Sequence, residues 1–290
     1  MTEYGKLVAE IPENYPEHVK TVLRDDILNR SPDDNVRIAY ELAEETHKKQ
    51  NRKGRDKLPY ITHPLRVYDF VNNSIDKNYK KRNIMLAASL LHDCAEDYRP
   101  DYYDKNNPES KQRAMDEFYE KLRDKFTDKN FADAVVSLVK EVTNPITFTD
   151  VSGNIIEKEQ WQVEHMKNPK TSIQARILKI CDQSANLQSD LEEVPENWDY
   201  NRLTAYRNKA SAVVNAALQG ASKVDVLECS PKDAGVFYKT IASYAKYVLD
   251  DMEKNGHSIP PAYDDRKGYA TLTIEGLKRS VKGIKKGAEI

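Results

Sequence analysis

Met85-Leu86-Ala87-Ala88-Ser89-Leu90-Leu91-His92-Asp93-Cys94-Ala95-Glu96-Asp97 decides how this chain is read. Seven residues that are apolar or small on every side predict a helix, running Arg82 to Ala95, at the centre of a hydrophobic core. That run ends abruptly on His92-Asp93 and then on two more acids. On a continuous helix, residues four apart share a face, so His92 would point with Glu96 and Asp93 with Asp97. An acidic cluster this close to a buried helix is costly unless a cation neutralises it. Taken alone, a solvated helix end carries the same residues.

Two further stretches give the cluster company. Leu58-Pro59-Tyr60-Ile61-Thr62-His63-Pro64 places a histidine at the start of a helix, and Ile177-Leu178-Lys179-Ile180-Cys181-Asp182 ends an apolar run on an acid, with Asn186 one turn later. A lone histidine is ordinarily a satisfied core or surface residue, and Asp182 with Asn186 reads equally as a polar helix stripe. Only in conjunction do His63, His92, Asp93 and Asp182 suggest a mixed nitrogen and oxygen shell. Such a shell suits manganese, iron or zinc and is equipped to hydrolyse a phosphoester or pyrophosphate.

The rest of the chain is helical in period. Asp33-Asp34 cap a helix carrying Val36, Ile38, Ala39, Leu42, Ala43 and Thr46. Helices are expected over 115–126, 131–142, 161–167, 172–188, 201–219 and 235–253. Residues 98–114 read as a solvated excursion and 143–160 as a loop, where Asn144-Pro145 and Ser152-Gly153-Asn154 are turn signals that allow a short β-hairpin near Gly153. The expected architecture is all-α: an N-terminal extension over 1–32, one helical domain over 33–220, and a C-terminal helical appendage with a basic tail over 221–290.

Composition narrows the function. The chain has 290 residues, 39% apolar and 32% charged, which is the balance of a globular protein rather than a disordered one. Forty-five Lys and Arg nearly cancel 47 Asp and Glu, so no global field argues for nucleic acid or membrane. No signal-peptide core or spanning segment is seen, and three separated cysteines (Cys94, Cys181, Cys229) read as reduced thiols. A cytoplasmic location is the expectation. Cys94 and Cys181, beside proposed ligands, read as small fillers behind a metal site. Leu277, Val281 and Ile284 have amphipathic spacing against the basic residues of the tail, which would suit an acidic partner or a membrane surface; a solvated tail is the plainer reading.

Basic residues offer clamps for an anionic ligand. Arg52, Lys53, Arg55 and Lys57 form a run before Pro59, with Arg55 and Lys57 reading as solvated loop. Lys179 lies three before Asp182. Arg202 and Tyr206, four apart on one helix, can offer a cation and a ring to one ligand.

Together these stretches resemble the hydrolase domain of RelA/SpoT-type alarmone enzymes, a branch of the HD phosphohydrolase superfamily. The spacing from Arg52 to Pro59 is most similar to the single-domain forms, the small alarmone hydrolases and the metazoan SpoT homologue. The resemblance covers roughly residues 33–220, and no synthetase domain is recognisable. It implies an HD-domain helical bundle with one manganese ion on His63, His92, Asp93 and Asp182, and Glu96 and Asp97 handling water and protons. It further implies Arg52 and Lys53 against the nucleobase, and Asn186, Arg202, Tyr206 and Lys179 toward ribose and phosphates. The implied reaction is removal of the 3′-pyrophosphate from guanosine or adenosine alarmones, with an alarmone synthetase as functional counterpart. A 2′-phosphatase acting on NADPH and a non-catalytic alarmone sensor are the alternatives. Departures from the family pattern are Tyr98 in place of threonine, Leu58 in a loop lacking a glycine near Lys57, and no lysine after Val142-Thr143.

Overall fold

A computed structural model describes residues 33–53, 58–75, 77–192 and 200–220 of the chain. The extension 1–32, Arg55, Lys57, Cys229, the expected helix over 235–253 and the basic tail lie outside the described residues. Those residues fold as α1 (Asp34–His47), α2 (Thr62–Ser74), α3 (Arg82–Leu91), α4 (Cys94–Asp97), α5 (Pro108–Lys125), α6 (Lys129–Val142), α7 (Lys158–Lys167), α8 (Ile173–Glu192) and α9 (Tyr200–Gly220). The architecture is all-α, as the helical periodicity predicts.

The helix starts follow local chemistry. Asp33 accepts a bond from Asn35 N at α1, Asn107 caps α5 with Pro108 in its first turn, and Asp128 caps α6. Helix α3 is the hub. Every residue from Met85 to Leu91 is buried, and the helix packs against α1, α2, α6 and α8. Burying each of its large side chains contributes about 1.5–3 kcal/mol. Helix α8 lies across α2, α6 and α9, and α7 packs on α9.

Three expectations are revised. The central helix ends at Leu91 rather than Ala95. There the His92 Nδ1–H donates to the Ser89 carbonyl at 2.8 Å, taking the acceptor that the backbone ladder would use next. The single turn α4 follows, linked back by Asp97 N to the Asp93 carbonyl at 3.1 Å. The stretch 98–114 is ordered: α5 begins at Pro108, seven residues before the expected start, and Tyr98 and Tyr102 both donate to Glu117, at 2.8 and 2.7 Å. The turn at Gly153, whose φ is +85°, closes one antiparallel bridge between Thr149 and Ile155 rather than a sheet.

A second single bridge, Asn51 with Pro59, closes the base of the basic loop and brings Arg52 beside Tyr60. Helix α7 is fixed from below by Arg176, a fully buried arginine of α8. Its guanidinium donates to the Met166 carbonyl at 3.0 Å and the Asn168 carbonyl at 2.7 Å, satisfying the end of α7. Replacing it by methionine keeps bulk but leaves those acceptors bare. Arg176→Met should lower unfolding stability by about 2–4 kcal/mol, read as a reduced urea midpoint. An unchanged midpoint would mean that α7 is held some other way.

Candidate metal centre

His63 enters from the first turn of α2, His92 and Asp93 from the break between α3 and α4, and Asp182 from the middle of α8. Their reactive atoms meet. His63 Nε2 lies 3.2 Å from His92 Nε2, 3.4 Å from Asp93 Oδ2 and 3.3 Å from Asp182 Oδ1. His92 Nε2 lies 3.2 Å from Asp93 Oδ2 and 3.7 Å from Asp182 Oδ1. The ligand atoms of His63, His92 and Asp182 all fall within 4.8 Å of one another, and those three residues are buried. Asp93 completes the approach to both imidazoles while staying partly open.

This arrangement fits a divalent ion. Ligand atoms bonded to one ion at about 2.1 Å stand roughly 3.0–3.4 Å from their neighbours, close to the separations seen. The surrounding bonds orient the donors. The Ser89 carbonyl can only accept, so His92 carries a proton on Nδ1 and turns Nε2 inward, the atom that an ion would take once its proton is displaced. Asp182 Oδ2 accepts from Lys179 at 2.9 Å and Gln183 at 3.1 Å, which leaves Oδ1 to face the imidazoles beside the Asn186 amide at 2.8 Å. Asp93 Oδ2 accepts from the Tyr60 hydroxyl at 2.7 Å.

Charge tells the same story. Burial would push His92 down, but the Asp93 and Asp182 carboxylates outweigh it and raise it to about 10. Burial would push Asp93 and Asp182 up. The imidazoles beside Asp93, and Lys179 with the imidazoles beside Asp182, instead hold both well below the ordinary carboxylate range. Without a cation, protons compensate the buried acids.

Glu96 and Asp97 leave α4 in different directions. Glu96 Oε1 accepts from both the backbone N and the side-chain Nδ2 of Asn144, each at 2.8 Å. Burial and the Asp93 charge raise its pKa. Asp97 lies 3.8 Å from His47 Nδ1 and 3.5 Å from the Arg99 guanidinium, and burial with the Asp93 charge raises it to about 6. Arg99 itself lies over the Tyr103 ring at 4.2 Å.

The residues expected to touch a ligand are placed unevenly. Arg52 donates to Asn186 Oδ1 at 3.1 Å, and Asn186 in turn donates to Asp182, so this pair stands at the metal centre. Lys179 is buried and paired with Asp182 rather than open to solvent. Lys53 is exposed, Arg202 is exposed and Tyr206 is half-buried against the core on α9. Sequence reasoning gave no role to Tyr60, Ser89, Gln183, Arg99, Asn144 or Gln162. Tyr60 sits inside a stretch already singled out. Asn144 was visible only as a turn signal.

The HD domain family matches residues 60–187, the span that contains all four converging residues. The guanosine-3′,5′-bis(diphosphate) 3′-pyrophosphohydrolase MESH1 of Xenopus tropicalis is 28% identical over 186 residues, 64% of this chain and 86% of that protein. The MESH1 of Danio rerio is 30% identical over 184 residues, 61% of this chain and 84% of that protein. A solved structure of a metazoan ortholog of SpoT that hydrolyzes ppGpp matches with a TM-score of 0.47 and 24% identity, over 68% of this chain and 92% of its own. No helix among the described residues is long and apolar enough to cross a membrane.

Because His92 is raised to about 10, the metal-free protein holds it protonated at pH 7. An ion must displace that proton, so calorimetric titration in buffers of different ionisation enthalpy should show about one proton released per ion bound. Zero release would contradict the charge state described here. The linkage has a definite sign. His92 contributes stability to the metal-free fold that is complete below its ordinary value of 6.5 and is lost as pH rises through about 10. Asp93 and Asp182 act oppositely: their contribution is present above the ordinary 3.8 and disappears as pH falls through their depressed values.

Proposed function

This chain belongs to the MESH1 family of HD-domain proteins, and from that membership and the centre described above we propose that it is a metal-dependent phosphohydrolase removing the 3′-pyrophosphate of guanosine-3′,5′-bis(diphosphate)-type alarmones. The observation that carries the reading is the convergence of two imidazole nitrogens on each other and on two carboxylates at 3.2–3.7 Å, with Glu96 and Asp97 in the short turn that follows Asp93. His63, His92, Asp93 and Asp182 would hold the ion, with manganese as the proposed metal. A divalent ion supplies charge: it polarises phosphoryl oxygens and makes a nearby water easier to deprotonate.

The chain's own residues supply the rest. Asp182 is locked by Lys179 and Gln183, so the donor set is oriented before substrate arrives. Burial and the Asp93 charge raise both Glu96 and Asp97, Asp97 to about 6, which suits the pair to passing protons in the reaction. In the overall step a water oxygen bonds to phosphorus and the bond to the ribose 3′-oxygen breaks. One water proton passes to a carboxylate, and the 3′-oxygen takes up a proton to become a hydroxyl. Arg52, linked to Asn186, would meet the nucleoside end, with Lys53, Arg202 and Tyr206 as further contacts. Lys179 belongs to this machinery through Asp182. Residues 33–220 form the proposed catalytic unit, acting in the cytoplasm on the product of an alarmone synthetase; adenosine alarmones are a second substrate to be tested.

The test incubates metal-stripped full-length protein with guanosine and adenosine 3′-pyrophosphate alarmones and with NADPH, each with and without manganese. Manganese-dependent release of pyrophosphate from the guanosine alarmone is expected. Asp182→Ala should reduce it about 10³-fold or more. Orthophosphate from NADPH with no pyrophosphate from any alarmone would replace the assignment, and bound metal without turnover would point to a sensor.

A further inference from the structure

Asn144 and Gln162 form a relay behind one of the two acids. Asn144 follows α6 in the turn Thr143-Asn144-Pro145, and Gln162 lies on α7. Both Asn144 donors, backbone and side chain, converge on Glu96 Oε1 at 2.8 Å. Gln162 Nε2 then donates to Asn144 Oδ1 at 2.9 Å. The orientation is forced along the whole relay. An oxygen receiving two N–H groups can only accept, so Asn144 turns its amide nitrogen to Glu96 and its oxygen to Gln162. Gln162 must answer with nitrogen. Its own Oε1 is left buried with no hydrogen-bond partner among the described residues, in a side chain only 5% exposed. An unsatisfied buried acceptor costs about 1–3 kcal/mol, which a purely structural glutamine has no reason to carry.

The relay is rigidly mounted. Pro145 stiffens the turn, and the buried Thr143 hydroxyl donates to the Val139 carbonyl at 2.7 Å. On α7, Trp161 stacks on His165 at 4.6 Å and meets Phe148 of the intervening loop at 5.8 Å. His165 Nε2 donates to the Glu141 carbonyl at 2.7 Å, tying α7 to α6. The relay therefore arrives at Glu96 from a frame independent of the α3–α4 break that carries Glu96.

We infer that Asn144 and Gln162 are positioning residues that clamp Glu96 through Oε1, leaving Oε2 as the one oxygen able to exchange a proton or orient water at the metal centre. No described residue hydrogen-bonds to Oε2. A carboxylate free to rotate would offer either oxygen and pay orientational entropy in the reactive step; one held by two donors does not. The inference rests on the phosphohydrolase reading for what Oε2 does, but the clamp itself is a property of the fold.

The test uses full-length protein. Asn144→Ala keeps the backbone donor and deletes the side-chain one. Gln162→Leu keeps bulk and removes both the second donor and the orphaned oxygen, so it gives a variant whose folding does not depend on the relay. With guanosine alarmone and manganese, Asn144→Ala should lower kcat about 10- to 100-fold while KM and manganese binding stay within about twofold; Gln162→Leu should lower kcat less. In a Glu96→Gln background, Asn144→Ala should lose most of its effect.

A second readout is independent of turnover. Carbon-13 titration of the Glu96 carboxyl in metal-free protein should move to higher pH in Asn144→Ala, since a donor to the charged form is gone. The other charged groups facing Glu96, namely Asp93 and Asp97 from its own segment, Lys158 of α7 and Lys179 of α8, are unchanged by the variant, as is Tyr119 of α5. An unmoved Glu96 titration, or a kcat loss of full size in the Glu96→Gln background, would overturn the clamp. If the wild-type protein hydrolyses no alarmone, the functional reading falls and the carboxyl titration alone decides the clamp.

Discussion

Two imidazoles each stand 3.2–3.7 Å from the carboxylates of Asp93 and Asp182, and much of the described structure follows from making that crowding of buried charge tolerable. Acids gathered around the same two rings, with little water, lose their hydration and repel each other; both penalties grow as the local dielectric falls. Three remedies are built in. Lys179 sits against Asp182, neutral donors from Tyr60, Gln183 and Asn186 fill carboxylate lone pairs, and the remaining negative charge is left for a proton or a divalent ion. The last remedy makes the centre responsive to metal.

The helix break between α3 and α4 belongs to the same constraint. A helix continued through His92 would bond the Ser89 carbonyl to Asp93 N and leave the imidazole free to rotate. By donating Nδ1–H to that carbonyl, His92 exchanges one backbone bond for a fixed ring and an inward-facing Nε2. The break also starts a new turn, so Glu96 and Asp97 diverge instead of continuing the faces of α3. Glu96 meets the turn after α6. Asp97 meets His47, Arg99 and the Gln50 amide at its carbonyl, at 3.4 Å. Two neighbouring acids thereby acquire separate surroundings, one clamped and one at the edge of solvent, the kind of difference that, on the proposed reading, would divide proton handling between them.

What the sequence disclosed was what repeats or clusters along the chain. The uninterrupted apolar face of Met85–Leu91 announced a buried hub, and the cap at Asp33 lies where polar residues meet apolar periodicity. The four converging residues stood out because each ends or interrupts an apolar run. What remained hidden depends on distance in sequence. The bond from Asn144 to Glu96 spans 48 residues, and that from Arg52 to Asn186 spans 134. An asparagine before a proline is a turn signal whatever it touches. The break at Leu91 was hidden for another reason: propensity favours continuing the helix, and only the competing side-chain bond to Ser89 ends it. Residues 98–107 looked solvated because their rings are interleaved with charges, yet those rings order the stretch by meeting cations and Glu117.

Two of the segments that depart from the family pattern, at Tyr98 and after Thr143, are anchored around the acids. Tyr98 follows Asp97 directly and is tied to Glu117 of α5, with Lys121 against its ring at 5.4 Å. Arg99 is held by the Glu96 and Tyr98 carbonyls at 2.5 and 3.0 Å and by the Tyr103 ring, so its charge stays beside Asp97. Asn144 reaches Glu96 from the opposite side. Burial and the carboxylates of Asp93 and Glu96 oppose the ionised form of Asp97, the Arg99 cation beside it favours that form, and the balance leaves Asp97 at about 6. Changes in these segments act on the electrostatics of the two acids and on the edge of the site, while the metal-binding atoms, fixed by α2, α8 and the α3–α4 break, keep their geometry. On the proposed reading, metal affinity and substrate preference would for that reason be separable in this fold: one would rest on buried helices, the other on the loops and the short turn that border them.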